Sequence, residues 1–173
     1  MLLEGKKIKL RALEPEDLTF LFTIENDTSF WEVSHTQTPF SKFLLKQYLE
    51  NAHLDIYEAK QLRLIIEEKQ TKQLVGMIDM FDFNPQHKRA GLGIVIDREF
   101  QKLGYASEAI ELVKNYCFSH LNLHQLHATI TPDNIKSISL FEGHNFKKTG
   151  EKEDWIFSKG SYKNELTYQL INE

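Results

Sequence analysis

The loop Gln101–Ala106 has the residue types and spacing best suited to hold a ligand in this 173-residue chain. It follows the apolar run Ile94–Ile96, which is short and β-branched enough to be a buried strand. After the loop, apolar residues recur every three or four positions as far as Leu121, which is typical of one helix face. A strand, a glycine-containing loop and a helix in this order direct free backbone N–H groups and the positive end of the helix dipole at one point. The spacing therefore predicts a site for a phosphate or pyrophosphate group.

Other motifs for phosphate, metal or covalent chemistry are weaker. Gly91-Leu92-Gly93 lacks the third glycine of a dinucleotide fingerprint, and no GxxxxGK[ST] sequence occurs. His120, His124 and His127 straddle a helix end and a strand without a cysteine or clear carboxylate to complete a ligand set, so no metal site is predicted. Cys117 is the only cysteine, and its place on the apolar helix face favours a core residue over a nucleophile.

Composition bounds the class of protein in which these motifs occur. Hydrophobic residues make up 41% and charged residues 27% of the chain, which is ordinary for a globular domain. A net charge of −4 argues against a general nucleic-acid-binding surface. No stretch has the length and apolarity of a signal peptide or a membrane span. We therefore expect a cytoplasmic protein without nucleic-acid or membrane partners.

Hydrophobic periodicity predicts the elements that position the loop. Strands are expected over residues 7–12, 61–67, 74–83, 89–97, 126–130, 146–157 and 162–170. Helices are expected from Pro15, after a cap at Ser41, from the loop to Leu121, and after a cap at Asp133 or Asn134. Residues 26–39 lose this periodicity, which is typical of a mobile or ligand-facing loop. The order of elements predicts an α+β (mixed α/β) domain in which helices pack on a mixed sheet.

Two segments resemble the signatures of the GNAT acyltransferases, which bind acetyl-coenzyme A. The loop QKLGYA matches the Q/R-x-x-G-x-G/A signature, and residues 134–146, NIKSISLFEGHNF, are similar to the asparagine-led second signature. Residues 87–109 and 160–170 look like the subgroup of spermidine N-acetyltransferases and ribosomal-protein N-terminal acetyltransferases. The resemblance implies a GNAT-like fold with a mostly antiparallel seven-stranded sheet and four helices, and one N-acetyltransferase domain over residues 1–173.

By this resemblance, acetyl-coenzyme A is the co-substrate. The backbone of the fourth strand would pair with the pantetheine arm, and the loop would cradle the pyrophosphate through its amides. Gly104 would allow close backbone approach to the ligand. The implied cofactor-binding residues are Ile94, Val95, Ile96, Gln101, Lys102, Leu103, Gly104, Tyr105, Ala106, Asn134 and Phe141.

Direct acetyl transfer to an amine makes a general base more important than a general acid. A polyamine nitrogen has a pKa of about 10.4, so its neutral form costs roughly 4–5 kcal/mol at pH 7. A peptide α-amine costs only about 1–1.5 kcal/mol, and a thiolate leaving group at most about 2 kcal/mol. An enzyme of this kind is therefore expected to carry a carboxylate or another base near the cofactor loop.

The sequence departs from its relatives at the positions of both catalytic roles. Phe141 stands where spermidine acetyltransferases carry a tyrosine proton donor, and Gly91 stands where relatives carry a glutamate. Asn145 replaces a glycine after the short helix, which is mild because asparagine tolerates a left-handed conformation. Asp79 and Asp82 on the third strand are the best remaining catalytic candidates, although their spacing points them to opposite faces of a regular strand. A water-mediated base or positioning alone is the alternative.

The acceptor site is expected around the aperiodic segment. Glu25, Trp31 and Glu32, with Asp27 and Phe30, would form an acidic and aromatic pocket suited to a cation. The alternative interpretation is an amphipathic loop that only covers the core. The sequence leaves these two interpretations evenly balanced.

The resemblance implies an enzyme that moves an acetyl group to a primary amine, such as spermidine or another small amine, in a ternary complex. Two alternatives stay open. One is an acetyltransferase that acts on protein N-termini, and the other is a non-catalytic acyl-coenzyme A-binding module, favoured by Phe141 and Gly91. By resemblance alone, a homo-oligomer is a further option.

Overall fold

The computed structural model describes residues 2–173, and these form one seven-stranded mixed sheet. The strands are β1 (Ile8–Arg11), β2 (Leu62–Glu68), β3 (Leu74–Asn84), β4 (Arg89–Ile96), β5 (Gln125–Ile130), β6 (Lys147–Ser158) and β7 (Ser161–Ile171). Their order across the sheet is β1-β2-β3-β4-β5-β7-β6. All neighbouring pairs are antiparallel except β4 and β5, which are parallel. The predicted α+β class and mostly antiparallel sheet are therefore confirmed.

Four helices of eight residues or more occur where the sequence predicts them, and two short ones were not predicted. The α-helices in residues 2–173 are α1 (Leu18–Glu25), α2 (Trp31–Ser34), α3 (Lys42–Glu50), α4 (Ile56–Ala59), α5 (Tyr105–Asn115) and α6 (Ile135–Gly143). Because α2 and α4 are single turns, they are too short to show a hydrophobic period. α5 continues as a π-helical turn over Tyr116–His120. No helix in the described part of the chain is long and apolar enough to cross a membrane.

Two apolar clusters hold helices on opposite faces of the sheet. One face packs on α5, whose buried residues are Ala109, Ile110 and Val113. The other face packs on α1 and α3, through Leu21, Ile24 and Leu45. Cys117 is fully buried in the first cluster, as predicted, and burial raises the pKa of its thiol to about 12. Among residues 2–173, no group of three or more histidine, cysteine or acidic side chains is arranged to hold a metal ion.

The predicted helix caps are present, and they identify which of two residues caps α6. Ser41 Oγ accepts a hydrogen bond at 3.1 Å from a backbone N–H in the first turn of α3. Asn134 Oδ1 accepts one from Ser137 N at 3.3 Å, so Asn134 rather than Asp133 caps α6. Asn145, just after α6, has φ 69°, the left-handed conformation expected of it.

The parallel strands β4 and β5 pair over only part of their length. Their register joins Arg89 to Gln125, Ala90 to Leu126 and Gly91 to His127. Beyond these pairs the strands separate, and among residues 2–173 the rest of β4 keeps only β3 as a strand partner. We call the resulting gap, between residues 92–96 of β4 and residues 128–130 of β5, the wedge. It exposes backbone hydrogen-bonding groups in the centre of the sheet.

Replacement of Asp17, before α1, by asparagine is expected to lower the free energy of unfolding at pH 7 by about 3 kcal/mol. Asp17 is 2% exposed, and its carboxylate accepts hydrogen bonds from Arg11 Nη1 and Nη2, both at 2.9 Å, and from Glu14 N at 2.8 Å. Burial alone would raise the pKa of Asp17, but these hydrogen bonds outweigh it and lower the pKa. The stabilisation is therefore present above the ordinary carboxyl pKa and is lost as pH falls through the lower folded-state value.

Urea unfolding across a falling pH series measures this effect. The difference between wild type and Asp17→Asn should be largest at pH 7 and should shrink in acid. The exposed neighbour Glu16 provides the control, since Glu16→Gln should change stability by less than about 0.5 kcal/mol. Equal stability of Asp17→Asn and wild type at pH 7 would contradict the prediction.

Candidate active site

A cleft of about 500 Å³ runs along the open edge of β4 to the start of α5. Its other wall is the first part of α6. The structure brings together most of the predicted cofactor-binding residues in this cleft, namely Ile94, Val95, Ile96, Gln101, Lys102, Gly104, Tyr105, Ala106 and Asn134. Leu103 does not line it: its side chain is half exposed, and its carbonyl accepts a hydrogen bond from Lys7 Nζ at 3.0 Å. Phe141 lies deeper, in a neighbouring cavity.

The N terminus of α5 offers the free donors that an anion needs. No side chain caps this helix. The first backbone N–H of the helix that makes a hydrogen bond is that of Glu108, which donates to Gly104 O at 3.2 Å. Within residues 2–173, the N–H groups of Tyr105, Ala106 and Ser107 therefore have no protein acceptor. Gly104 adopts φ 85°, which lets the chain turn sharply into the helix.

Lysine side chains make this end of the cleft positive although the whole chain carries a net charge of −4. Lys102 and Lys136 line the cleft. Lys7 comes from the distant N-terminal segment, and its Nζ would lie 3.3 Å from a Cβ added at Gly104. A free helix N terminus surrounded by cations suits a phosphate or pyrophosphate. The anion site predicted from the loop therefore has matching electrostatics.

Ser107 is a cleft residue that the sequence did not single out. Its Oγ lies 2.9 Å from His144 Nε2, and His144 Nδ1 lies 3.3 Å from Glu111 Oε2. Burial, aided by Lys114, lowers the pKa of His144 against the opposing effect of Glu111. A lowered pKa favours the neutral imidazole at pH 7, and the tautomer that fits both contacts donates Nδ1–H to the carboxylate and accepts from the serine at Nε2. This network orients the Ser107 hydroxyl beside the free amides.

A smaller cavity of about 50 Å³ continues from the cleft into the wedge. We call it the wedge cavity. The cleft and the wedge cavity are adjacent, and the lining residues that they share are Val33, Ile94, Asn134 and Ser137. Phe141 also lines the wedge cavity, is 4% exposed, and packs edge-on against another ring at a centroid distance of 5.0 Å. Its ring supplies an apolar wall and no proton donor.

The catalytic candidates Asp79 and Asp82 lie in two separate depressions, neither of which is the wedge cavity. Asp79 accepts hydrogen bonds from Arg63 Nε at 2.6 Å and Arg63 Nη2 at 3.0 Å. Asp82 has φ 48° at an irregularity of the β3–β4 pairing and lies near Arg89 and His127. Their catalytic role stays a prediction, and any such role has to operate from outside the wedge.

The acceptor candidates Glu25, Trp31 and Glu32 do not share one cavity. Glu25 is ion-paired with Arg63, and its backbone carbonyl accepts a hydrogen bond from Trp31 Nε1 at 2.9 Å. Glu32 lies 2.9 Å from Lys163 Nζ. Of these three residues, Glu32 alone lines the wedge cavity. The aperiodic segment therefore forms part of the site, but its acidic residues are already paired with cations.

Glu165 on β7 lines the wedge cavity, although the sequence did not indicate it. It is 6% exposed and lines the wedge cavity beside Glu32. Its neighbours Leu166 and Tyr168 alternate into the core. A glutamate that alternates with apolar residues is predicted to face solvent, because nothing local in the sequence shows that this face lines a cavity. Only the tertiary structure shows that this carboxylate is enclosed.

The ring of Phe81 fills the space next to Gly91, where a side chain at position 91 would lie. A Cβ added at Gly91 would lie 2.5 Å from Phe81 Cζ, whereas one at Gly93 would lie 3.7 Å from Phe81 Cε1. The Phe81 ring also packs edge-on against His127, with centroids 6.0 Å apart. With the Phe81 ring in this place, position 91 has no room for a side chain and offers no catalytic carboxylate.

A sheet that opens between parallel central strands, with an uncapped helix N terminus at its mouth, is the architecture of an acyl-coenzyme A-dependent transferase. Residues 7–147 match the family model described as an acetyltransferase (GNAT) domain. The chain belongs to this family and is an N-acetyltransferase.

Its relatives include enzymes that act on a polyamine. The spermidine N(1)-acetyltransferase of Vibrio cholerae is 30% identical over 161 residues, covering 91% of this chain and 89% of the relative. That of Escherichia coli K12 is 30% identical over 162 residues, covering 92% and 83%. The Vibrio cholerae spermidine N-acetyltransferase in complex with CoA and spermine has a TM-score of 0.87 and 28% identity over 96% of both chains. A dodecameric structure of that enzyme has a TM-score of 0.81 and 29% identity, covering 96% and 95%.

Proposed function

We propose that this chain transfers the acetyl group of acetyl-coenzyme A directly to a primary amine of a polyamine such as spermidine, within a ternary complex. One observation carries the proposal: a cleft with free amide donors at its mouth leads into an acidic cavity inside the split sheet. We also propose that residues 1–173 form one acetyltransferase domain that works in the cytoplasm.

The cleft fits coenzyme A in charge and in shape. The pyrophosphate would accept hydrogen bonds from the free N–H groups at the start of α5, with Lys7 and Lys102 nearby. The pantetheine arm would lie along residues 92–96 as an additional strand. Asn134 and Phe141 would border the arm and the acetyl group. The complex of the Vibrio cholerae relative with CoA supports this assignment.

An amine is favoured as the acceptor because the wedge cavity is acidic. Glu32 and Glu165 both line it, and a polyamine is cationic at neutral pH. Two spermidine acetyltransferases cover most of the chain at 30% identity, which supports this class of acceptor. We propose that Glu25 and Trp31 border the approach to the cavity and contact more distant parts of the acceptor.

Direct transfer forms one C–N bond and breaks one C–S bond. The amine nitrogen attacks the thioester carbon, and the tetrahedral intermediate then expels the coenzyme A thiolate. A covalent acetyl-enzyme route is disfavoured because Cys117, the only thiol, is fully buried and burial raises its pKa to about 12. Asp79 and Asp82 remain candidates for the base, although Arg63 already holds both oxygens of Asp79.

We extend the proposal to self-association, since the Vibrio cholerae relative forms a dodecamer. Trp155, Phe157 and Tyr162 are large and exposed on the β6–β7 hairpin. Phe157 and Tyr162 pack against each other at a ring-centroid distance of 5.2 Å, so they present a joined apolar patch. Contact between copies would bury this patch.

We expect spermidine to stimulate release of free thiol from acetyl-coenzyme A, with a kcat/KM at least about tenfold above that for N-terminal peptides, a difference of about 1.4 kcal/mol. A thiol-reactive chromophore measures the release, and mass spectrometry identifies the acetylated amine. A preference for peptides would instead identify an N-terminal acetyltransferase. Calorimetric binding of coenzyme A without turnover of any acceptor would indicate a non-catalytic binding module and overturn the proposal.

A further inference from the structure

We propose that the carboxylate of Glu165 holds the ammonium end of the acceptor in the wedge cavity and accepts the proton that the reacting nitrogen releases. The inference rests on the proposed acetyl transfer to an amine. It goes further by assigning the acceptor's anchoring group and the base to one residue of β7. None of the residues predicted to be catalytic occupies this place.

Glu165 is an enclosed carboxylate without a cation. It is 6% exposed, and within residues 2–173 no ion pair or hydrogen bond involves its side chain. Among the described residues no fully buried side-chain oxygen lacks a hydrogen-bond partner, so the unpaired Glu165 oxygens keep some accessible surface, and Glu165 lines the wedge cavity. An uncompensated carboxylate in such a place is costly unless a cation or a proton reaches it.

The lysines closest along the sheet are held by other groups. Lys163 is on the same strand, but its Nζ lies 2.9 Å from Glu32 and 2.6 Å from Asp133. Lys152 is opposite Glu165 in the β6–β7 register, but its Nζ sits 4.3 Å from the centre of an aromatic ring on β6. The negative charge of Glu165 is therefore left for a ligand, while that of Glu32 is already compensated.

The cavity brings Glu165 to the inner end of the cleft. Gly93 and Ile94 line the same cavity, and they belong to the strand along which the pantetheine arm would end. Besides Glu165 and Glu32, the polar residues that line the cavity are His35, Thr129, Thr131, Asn134 and Ser137. The cavity is narrow, with a volume of about 50 Å³, and such a shape suits the slender aminomethyl end of a flexible aliphatic amine.

The chemical step balances with Glu165 as the proton acceptor. The ammonium pairs with the carboxylate and gives up a proton to it, and the nitrogen lone pair then attacks the thioester carbon. The C=O electrons move to oxygen and return as the C–S bond breaks. Acetylation removes two protons from the ammonium in total. One ends on the coenzyme A sulfur and the other passes through Glu165 to solvent.

Glu165→Gln tests the inference because it keeps the shape and removes the charge. At pH 7 we expect its kcat/KM for spermidine to fall about 100-fold, with coenzyme A affinity unchanged. Glu153→Gln, on exposed β6, is the matched control and should behave as wild type. The loss should shrink with trifluoroethylamine, which is largely neutral at pH 7 and needs neither a counter-charge nor a strong base. A purely structural defect would reduce both reactions equally.

Three outcomes overturn the inference. The first is a Glu165→Gln enzyme within twofold of wild type, and the second is loss of turnover in Asp79→Asn alone. The third is an equal loss for both acceptors. If Glu165→Gln does not fold, Glu165→Asp retains the charge and should still turn over spermidine, whereas a folded but inactive aspartate variant counts against the inference.

A separate measurement distinguishes this inference from the proposed function. Calorimetry of spermidine with the coenzyme A complex does not require turnover. If wild type binds spermidine without acetylating it and Glu165→Gln weakens binding at least tenfold, the Glu165 site stands and the transferase proposal fails. If binding is absent in wild type, or equal in both proteins, the Glu165 site fails.

Discussion

Replacement of Ala106 by aspartate is expected to weaken coenzyme A binding at least about 100-fold, because one charge repulsion near 4 Å is worth about 4 kcal/mol at an effective dielectric constant of about 20. Ala106 is the second residue of α5 and lines the cleft. A carboxylate there would accept hydrogen bonds from the free N–H groups that the pyrophosphate needs. It would also repel the phosphates directly.

The fold should tolerate this change, since aspartate in the first turn complements the helix dipole. Ala106→Asn has the same shape without the charge and serves as the matched control. Isothermal titration of each variant with coenzyme A measures the affinity, and thermal unfolding without ligand measures stability. Equal affinities for the aspartate and asparagine variants would show that the phosphates bind elsewhere.

Replacement of Gly91 by alanine is expected to destabilise the protein by about 2 kcal/mol, because the added methyl group forces the Phe81 ring from its place. The new Cβ would lie 2.5 Å from Phe81 Cζ, whereas at Gly93 the nearest ring atom is 3.7 Å away. Gly93→Ala is therefore a control on the same strand and face, with an expected change within about 0.5 kcal/mol.

Urea unfolding of both variants tests this expectation. In addition, Phe81→Ala should partly rescue Gly91→Ala, since the ring causes the conflict. Non-additive free energies in the double-mutant cycle would show this coupling directly. Equal destabilisation by Gly91→Ala and Gly93→Ala would mean that Phe81 does not restrict position 91. The same clash explains why glutamate cannot simply be restored at position 91.

The part of the cleft that we propose to bind the pyrophosphate was predictable because its information is local. Gly104, the residues around it and the cap Asn134 lie within short segments whose backbone geometry follows from residue type. The strands and the four longer helices follow from hydrophobic periods in the same way. Only Leu103 of the predicted loop residues does not line the cleft, and it follows Lys102, whose positive φ no local sequence pattern indicates.

The part of the site that we propose to hold the acceptor could not be predicted because it depends on contacts between distant residues. Nothing near Asp79 in sequence shows that Arg63 occupies its carboxylate. Nothing near Glu165 shows that the segment containing Glu32 encloses it, or that Lys163 is held elsewhere. Such pairings join residues from 16 to 131 positions apart, so they appear only when the sheet is assembled.

The gap between β4 and β5 also affects the stability of the protein without its ligand. Without its co-substrate, the protein carries two unpaired strand edges in its interior, the kind of edge that invites local opening. A ligand that completes this edge binds the native state only, and at 100 times its dissociation constant it adds about 2.7 kcal/mol to stability. Coenzyme A bound along this edge is therefore expected to slow proteolysis of the native protein, because it lowers the population of locally opened states.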